Sequence, residues 1–405
     1  MELFKLAWRN LWRNKKRTLI TIASIFFGVI WAVFISSLQS GSFQNMIDNM
    51  VRFSSGHIQI QSTDFRELKS INNSFELSKD IQQFLEDQEE IIVATPKIES
   101  FALIATNDKS YATAVVGIHP ENEILISNFP RWIVDGRYLN NGEKGIILGD
   151  VLARNLDAVV GDTMALIGQG YHGVNTAGLF PVTGILSFPL PDLNRQILYM
   201  DIGIAQDFFQ LENRITSMVI MLDKPSHMSA IIETFNNTNF EDVSILSWPE
   251  LLPELVQFID GKVSSAKLIK GVLFLLIAFG ILATFIMMVS ERKRELGIMI
   301  AIGMNRMKLS IILFLESILI GALGVISGFL LSLPVILFYV NNPIPIGGKV
   351  RETYIDMGFE PIIMFNADMP VFTGPALTIF VFAVLIALYP VSSIIRMKIV
   401  NSLQA

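Results

Sequence analysis

Catalysis, metal binding and phosphate binding each need particular residue types at particular spacings. The four histidines, His57, His119, His172 and His227, are isolated in the chain, and no H-E-x-x-H or comparable metal spacing surrounds them. Each reads as a surface or strand-end residue rather than a ligand. The absence of cysteine excludes thiol catalysis, disulfides and Cys-based metal sites. No G-x-S-x-G elbow is present. The glycine-rich run GQGYHG, 168–173, is not a P-loop, and no G-x-x-x-x-G-K-[ST] occurs anywhere. The expectation is a non-catalytic chain with no cofactor or metal of its own.

Two features remain. Glu316 is the single charge inside a long apolar run, 309–340. It lies seven residues in, about 10 Å at 1.5 Å per residue, so it is off the midplane of a bilayer. Intramembrane acids face a bundle interior and find a partner. Two readings are open, a bond to another helix or contact with a substrate headgroup. The second feature is ERKRELGIMIAIGMNRMK, 291–308. Five charges open it, Gly297 and Gly303 bracket an apolar stretch, and Arg306 and Lys308 close it. That stretch is far short of the ~20 residues needed to span, and too apolar for an idle loop.

The elements that carry these residues are membrane helices. Half of the 405 residues are hydrophobic and 17% are charged, against about a quarter in soluble proteins. Spans are expected at 18–40, 268–290, 309–340 and 369–395. The first reads as an uncleaved anchor, since its uncharged run outlasts a signal-peptide core and the SSLQSGSFQ that follows is a poor cleavage site. A large domain occupies 41–267 and a short loop 341–368. The fold class is an α-helical membrane protein with four transmembrane helices and a large mixed α/β domain between the first and second.

Lysine and arginine set the orientation. The N-terminal tail, 1–17, carries six, the 291–308 loop five and the tail 396–405 two, whereas 341–368 has two against four acids. Both termini and the 291–308 loop are expected inside, and the large domain outside. Residues 41–270 hold 29 acids and 16 bases, a net charge of −13, which disfavours nucleic acid as a partner. In MELFKLAWRNLWRNKKR, the residues Phe4, Trp8, Leu11 and Trp12 recur at helical spacing. This predicts an amphipathic helix in the inner headgroup layer, touching membrane lipids; it is either an anchor or a transmitter of force to the first span.

The outer domain reads as alternating strands and helices. GHIQIQ, FALIAT, YATAVVGI, GIILG, DTMALIG, FPVTGIL, TSMVIML and DVSIL are strands, with helices at LSKDIQQFLEDQ, GDVLARNL, IAQDFFQLEN (capped by Asp201) and SHMSAIIETF. Two subdomains are expected, one from the ends of the segment and one from its middle, about 115–200. After Pro253 the chain reads as a helix running toward the second span, either a stiff transmitter or a plain link. In the third span Gly321, Gly324 and Gly328 give a small-residue face that includes a G-x-x-x-G, for packing within the subunit or across a dimer.

The stretch ERKRELGIMIAIGMNRMKLSIILFLESILIGALGVISG closely resembles the signature of FtsX-like, or MacB-type, ABC transporter permeases. That pattern opens with E-R-x-R-E-x-G, passes through A-x-G, and enters a span with an acid and spaced glycines. Glu291, Arg292, Arg294, Glu295, Gly297, Ala301, Gly303, Glu316, Gly321, Gly324 and Gly328 fall on it. Ile300 departs from it, standing where the family often has Lys or Arg. LAWRNLWRNKKRTLITIASIFFGV resembles the family's first helix and span. GHIQI, VVGIHPENE, DGRYL and GIILGDVLARNLDAVVGDTMAL are similar to segments of lipoprotein-releasing permeases of the LolC and LolE type.

The resemblance implies a bacterial inner-membrane permease subunit with a periplasmic domain. In that family, 291–308 holds a coupling helix that docks on a separate cytoplasmic ABC ATPase dimer, which binds ATP and magnesium. The apolar face from Leu296 to Met304 would bury against that ATPase, and Gly303 would end the helix. A second permease subunit, the same chain or a related one, completes the transporter, and ATP-driven closure moves the spans and outer domains. The favoured function is extraction of lipoproteins from the membrane, with transfer to a periplasmic carrier. Alternatives are export of a peptide, toxin or lipid, control of a cell-wall hydrolase, or a receptor that signals through 291–308. By the same resemblance, SFPLPDLN, 187–194, stands near the carrier-recruiting loop, which nominates Phe188, Pro189, Leu190, Pro191 and Asp192; an ordinary Pro-rich turn is the other reading.

Overall fold

The computed structural model describes residues 2–13, 15–65, 69–106, 108–188, 191–238, 240–356 and 361–396. The chain divides into two compact units. One comprises Met1–Asn45, Ile259–Pro345 and Ile362–Ala405; the other comprises Met46–Phe258 and Ile346–Pro361.

The first unit is helical. Among the described residues, four segments are long and apolar enough to cross a membrane: Thr18–Ser55, Pro253–Glu291, Arg306–Asn341 and Met369–Ile395. The first helix runs unbroken from Lys15 to Met50 and the second from Pro253 to Glu291. At 1.5 Å per residue these are about 54 and 58 Å long, against roughly 30 Å of hydrocarbon. Both helices therefore outrun the expected spans. Hydropathy marks where a helix meets lipid and carries no signal for where its hydrogen-bond ladder stops. The segment after Pro253 is one helix with the second span.

The spans bury Val29, Val33, Phe285, Ile320, Phe372 and Ile379 in a common core. An N-terminal helix, Glu2–Arg13, joins that core through Leu11, and Ala7 is buried beside it. The Thr18 hydroxyl donates to the Leu11 carbonyl at 2.7 Å, linking this helix to the start of the first span. Phe4, Trp8 and Trp12 stay exposed. The apolar face read from the sequence is thus divided: Leu11 turns to protein and the three aromatics turn away.

The second unit is α/β. Its strands are β1 (Ile58–Ser62), β2 (Phe75–Glu76), β3 (Ile91–Ala105), β4 (Ser110–Ile118), β5 (Ile133–Gly136), β6 (Ile146–Gly149), β7 (Thr163–Gln169), β8 (Asn175–Leu186), β9 (Ile197–Asp201), β10 (Arg214–Ile215), β11 (Ser217–Leu222) and β12 (Val243–Ser247). Ten form one sheet in the order β12-β1-β11-β3-β4-β9-β6-β8-β5, with β7 bridging β3 and β8, while β2 pairs β10. The pairs β4–β9 and β6–β8 are parallel and the remaining ladders antiparallel.

Two apolar cores flank the length of β3. One draws on the ends of the segment, through Ile58, Ile60, Leu85, Ile220 and Phe235. The other draws on its middle, through Ile104, Val115, Leu148, Leu166 and Phe209. β3 is long enough to serve both, at 15 residues. Asp201 caps the helix Ile202–Phe209, accepting from the Gly203 and Ile204 amides at 2.9 and 3.3 Å. β1 lies between β11 and β12, so Gln59 and Gln61 are buried along with Ile58 and Ile60. The sequence reading did not contain β9, the helix Pro120–Ser127 or the β2–β10 pair.

Candidate functional site

The 291–308 segment folds into a helix of its own, Lys293–Ala301. It begins because the second helix breaks at Arg292, whose backbone leaves helical geometry with φ −100 and ψ 6. It ends at Gly303, where φ is +100, a conformation that suits glycine. The Gly303 amide donates to the Ile300 carbonyl and the Met304 amide to the Met299 carbonyl, each at 3.0 Å. That pair of bonds is a Schellman stop, and Met299 and Met304 close it from the same small apolar cluster. Asn305 then opens the third span, its side chain accepting the Met307 amide at 2.8 Å. Arg306 donates to the Ile395 carbonyl at 2.9 Å, placing a cation at the end of the fourth span.

The helix has two apolar faces. Leu296 and Ile300 are buried against Leu309, Leu313 and Ile394, and Gly297 is buried beside them. The expected docking face from Leu296 to Met304 therefore loses Leu296, Gly297 and Ile300, because these three residues hold the helix to its own subunit. The outward face carries Glu291, Arg294, Glu295, Ile298, Ala301 and Ile302. Arg294, Glu295, Ile298, Ala301 and Ile302 lie three and four residues apart on one side of the loop helix and its cap, and Glu291 ends the second helix just before the break. Ile302 is 81% exposed and Ile298 41%. A charged collar of Glu291, Arg294 and Glu295 thus sits beside an apolar tip that the described residues leave uncovered. Arg13 of the N-terminal helix pairs with Glu295 at the collar, an exposed bridge worth at most about 1 kcal/mol.

Glu316 is fully buried, and its carboxylate accepts from Arg292 Nη1 at 2.8 Å through both oxygens. Arg292 is buried too. The intramembrane acid therefore binds the residue on which the second helix breaks. This short charge-assisted contact fixes the start of the loop helix against the third span. No sequence periodicity pointed to it, since the partners are 24 residues apart across a turn.

The glycines pack within the subunit. A Cβ at Gly324 would stand 2.7 Å from Ile25 Cβ, and one at Gly328 would stand 2.8 Å from Val29 Cβ. A Cβ at Gly321 would meet Ala383 Cβ at 3.1 Å. The G-x-x-x-G thus lets the third span approach the first, and Gly321 lets it approach the fourth.

In the α/β unit, Phe188 is buried, with ring centroids 4.5 Å from Phe53 and 5.3 Å from Phe129. Asn194 brackets it, accepting from its amide at 3.0 Å and donating to its carbonyl at 2.8 Å. Phe188 is an anchor, not a contact residue, which corrects its place in the nominated loop. Pro189 and Leu190 lie outside the described residues, and Pro191 and Asp192 open the helix Pro191–Gln196.

The DGRYL turn is held by Arg137, which donates to Glu143 Oε2 at 2.8 Å. That bond, aided by the Asn140 amides, holds the Glu143 carboxyl down at about 2. Tyr138 donates to the Pro120 carbonyl at 3.0 Å, and burial pushes its phenol up. Among the histidines, His57 Nδ1 accepts the Leu222 amide at 3.0 Å and burial lowers its pKa, while His227 Nδ1 lies 2.8 Å from Asp223. No three His, Cys, Asp or Glu side chains cluster as metal ligands among the described residues.

Residues 18–238 match the MacB-like periplasmic core domain, and residues 268–399 match the FtsX-like permease C-terminal domain. The chain belongs to the MacB-like and FtsX-like permease family. Among its relatives, this permease is 23% identical over 340 residues to the lipoprotein-releasing system transmembrane protein LolC of Neisseria meningitidis serogroup B, covering 80% of each chain. It is 22% identical to the LolE protein of Haemophilus influenzae, over 98% of its own length and 97% of the relative's. It is also 24% identical to the macrolide export ATP-binding/permease protein MacB of Hyphomonas neptunium, over 81% of its own length and 52% of the relative's. The protein is an ABC transporter permease of the Lol and MacB type.

Proposed function

We propose that this permease is the membrane subunit of a mechanotransmitting transporter that extracts lipoproteins from the bacterial inner membrane. A separate cytoplasmic ABC ATPase dimer, which binds ATP and magnesium, supplies the energy. The observation that carries the reading is the outward tip of the loop helix. Ile298, Ala301 and Ile302 form an apolar knob on a helix fixed at one end by the Arg292–Glu316 bond and stopped at the other by Gly303. Such a knob fits a groove on the ATPase, with Glu291, Arg294 and Glu295 at its rim.

ATP-driven motion then enters at the loop helix and passes to the second and third spans, which the loop helix joins directly in sequence. Two permease subunits, identical or related, share the work. Both termini lie in the cytoplasm and the α/β unit in the periplasm, as the distribution of Lys and Arg supports. Phe4, Trp8 and Trp12 rest in the inner headgroup layer. Past the buried Phe188, the segment Pro189 to Asp192 meets a periplasmic carrier.

Lipoprotein release is favoured over macrolide-type export because the LolC and LolE relatives match along most of their length, while about half of the MacB relative lies outside the match. Drawing an acyl chain from a bilayer costs about 0.8 kcal/mol per buried CH₂, which calls for coupling to ATP. The test is reconstitution into proteoliposomes with the candidate ATPase and a fluorescent triacylated lipoprotein. The reading expects release to a soluble carrier that depends on ATP. Hydrolysis without release would remove lipoprotein as the substrate.

A further inference from the structure

The α/β unit contains a cavity of about 190 Å³ lined by side chains from β3, β4, β9 and the helical turn Val51–Ser55. Phe53, Phe65 and Phe101 supply aromatic wall, and Lys97, Glu99 and Tyr199 supply polar groups. Tyr199 is 2% exposed, and its hydroxyl has no hydrogen-bond partner among the described residues. Lys97 is equally buried, and its closest acid, Glu123, stands 3.6 Å away. Glu123 Oε2 is buried without a hydrogen bond of its own. Buried donors and acceptors are nearly always paired in folded proteins, so Lys97 and Tyr199 in the cavity lining mark where a ligand's polar atoms belong.

The charges around the cavity balance. Glu123, outside the lining, pairs with Lys97, and within the lining Lys69 offsets Glu99, which favours a neutral group with both a donor and an acceptor. An amide meets that requirement: its carbonyl accepts from Lys97 and Tyr199, and its N–H donates to Glu99. The volume sets the apolar part, since about 150 Å³ holds a benzene and this cavity is slightly larger. Phe101 stands at the rim, 62% exposed, and shares its face of β3 with exposed Leu103. Leu103 is opposite Ile167 in the β3–β7 ladder, and Leu179 continues the exposed apolar face on β8. This strip is longer than one small molecule requires.

We propose that the cavity is a peptide-binding site. It takes one leucine- or phenylalanine-sized side chain of a polypeptide, whose main-chain amide meets Lys97, Tyr199 and Glu99. Flanking residues lie along Phe101, Leu103, Ile167 and Leu179. The inference does not depend on ATPase docking.

The test uses the full-length protein in lipid nanodiscs with the peptide acetyl-Gly-Ala-photoleucine-Ala-Gly-amide, mapping crosslinks by mass spectrometry. Crosslinks are expected on β3 and β9, competed by the same peptide carrying phenylalanine. They should fall roughly fivefold in Tyr199→Phe, which removes only a hydroxyl, and also in Phe101→Ser, a change at an exposed site. Thermal unfolding of both variants should match the wild type. Scattered crosslinks, or crosslinks undiminished in both variants, would overturn the site. Competition by N-acetylphenylalaninamide as strong as that by the pentapeptide would replace the peptide with a small free amide.

Discussion

Arg292 Nη1 lies 2.8 Å from both carboxylate oxygens of Glu316, and both side chains are buried. The break between the second span and the loop helix is thus bonded to the interior of the third span. Removing one partner of a buried charge pair costs about 3–5 kcal/mol. Glu316→Gln and Arg292→Ala should each lower the melting temperature in detergent sharply. The double variant Arg292→Met, Glu316→Leu should recover most of that loss. A double variant no better than the singles would mean that the pair does not act as a unit.

The glycines of the third span make a graded prediction. A Cβ at Gly324 would meet Ile25 Cβ at 2.7 Å, closer than side chains tolerate, whereas one at Gly321 would meet Ala383 Cβ at 3.1 Å. Gly324→Val should destabilise by about 1–3 kcal/mol, and Gly321→Ala by less. Equal losses measured by chemical unfolding would contradict the packing described.

Gly303 tests the helix stop. No atom lies within 4 Å of a Cβ built there, so the cost of Gly303→Ala is purely conformational, from φ +100. A loss of about 1 kcal/mol is expected. It should appear locally, as faster hydrogen exchange at the Gly303 and Met304 amides. Unchanged exchange would mean that the stop lies elsewhere.

Acid should loosen the DGRYL turn through Glu143. Arg137 lowers this carboxyl from 4.5 to about 2. A depressed folded pKa contributes stability that is present above the unfolded value and lost as pH falls. The contribution is therefore whole above pH 4.5 and disappears on the way down to about pH 2. Glu143→Gln should flatten the pH dependence of unfolding in that window. A variant with the wild-type slope would assign the acid sensitivity to other groups.

The spans were legible because an uncharged run of about 20 residues matches the length that a bilayer demands and exceeds what a soluble core helix carries. The loop helix was legible from its charges, and its end from Gly303. The buried face of that helix was not, because Leu296, Ile298, Ile300 and Ile302 are all apolar and hydropathy cannot separate them. Arg292 was recognisable as part of a signature, yet its bond to Glu316 depends on a turn that brings distant residues together. β9 escaped because Ile197–Asp201 is buried throughout, without the alternation that marks a half-exposed strand. The cavity polar group of Lys97, Glu99 and Tyr199 left no sequence pattern at all.

The central claim is that the outward tip of the loop helix engages an ATPase. Its most direct test is co-purification of the full-length permease with its candidate cytoplasmic ATPase, comparing wild type with Ala301→Glu and measuring ATP hydrolysis. Ala301 is exposed, so the added carboxylate charges the tip without entering a core. The account predicts a stable complex with wild type, loss of that complex with the variant, and unchanged thermal unfolding of the variant alone. Association indifferent to Ala301→Glu, or no association with either protein, would contradict it.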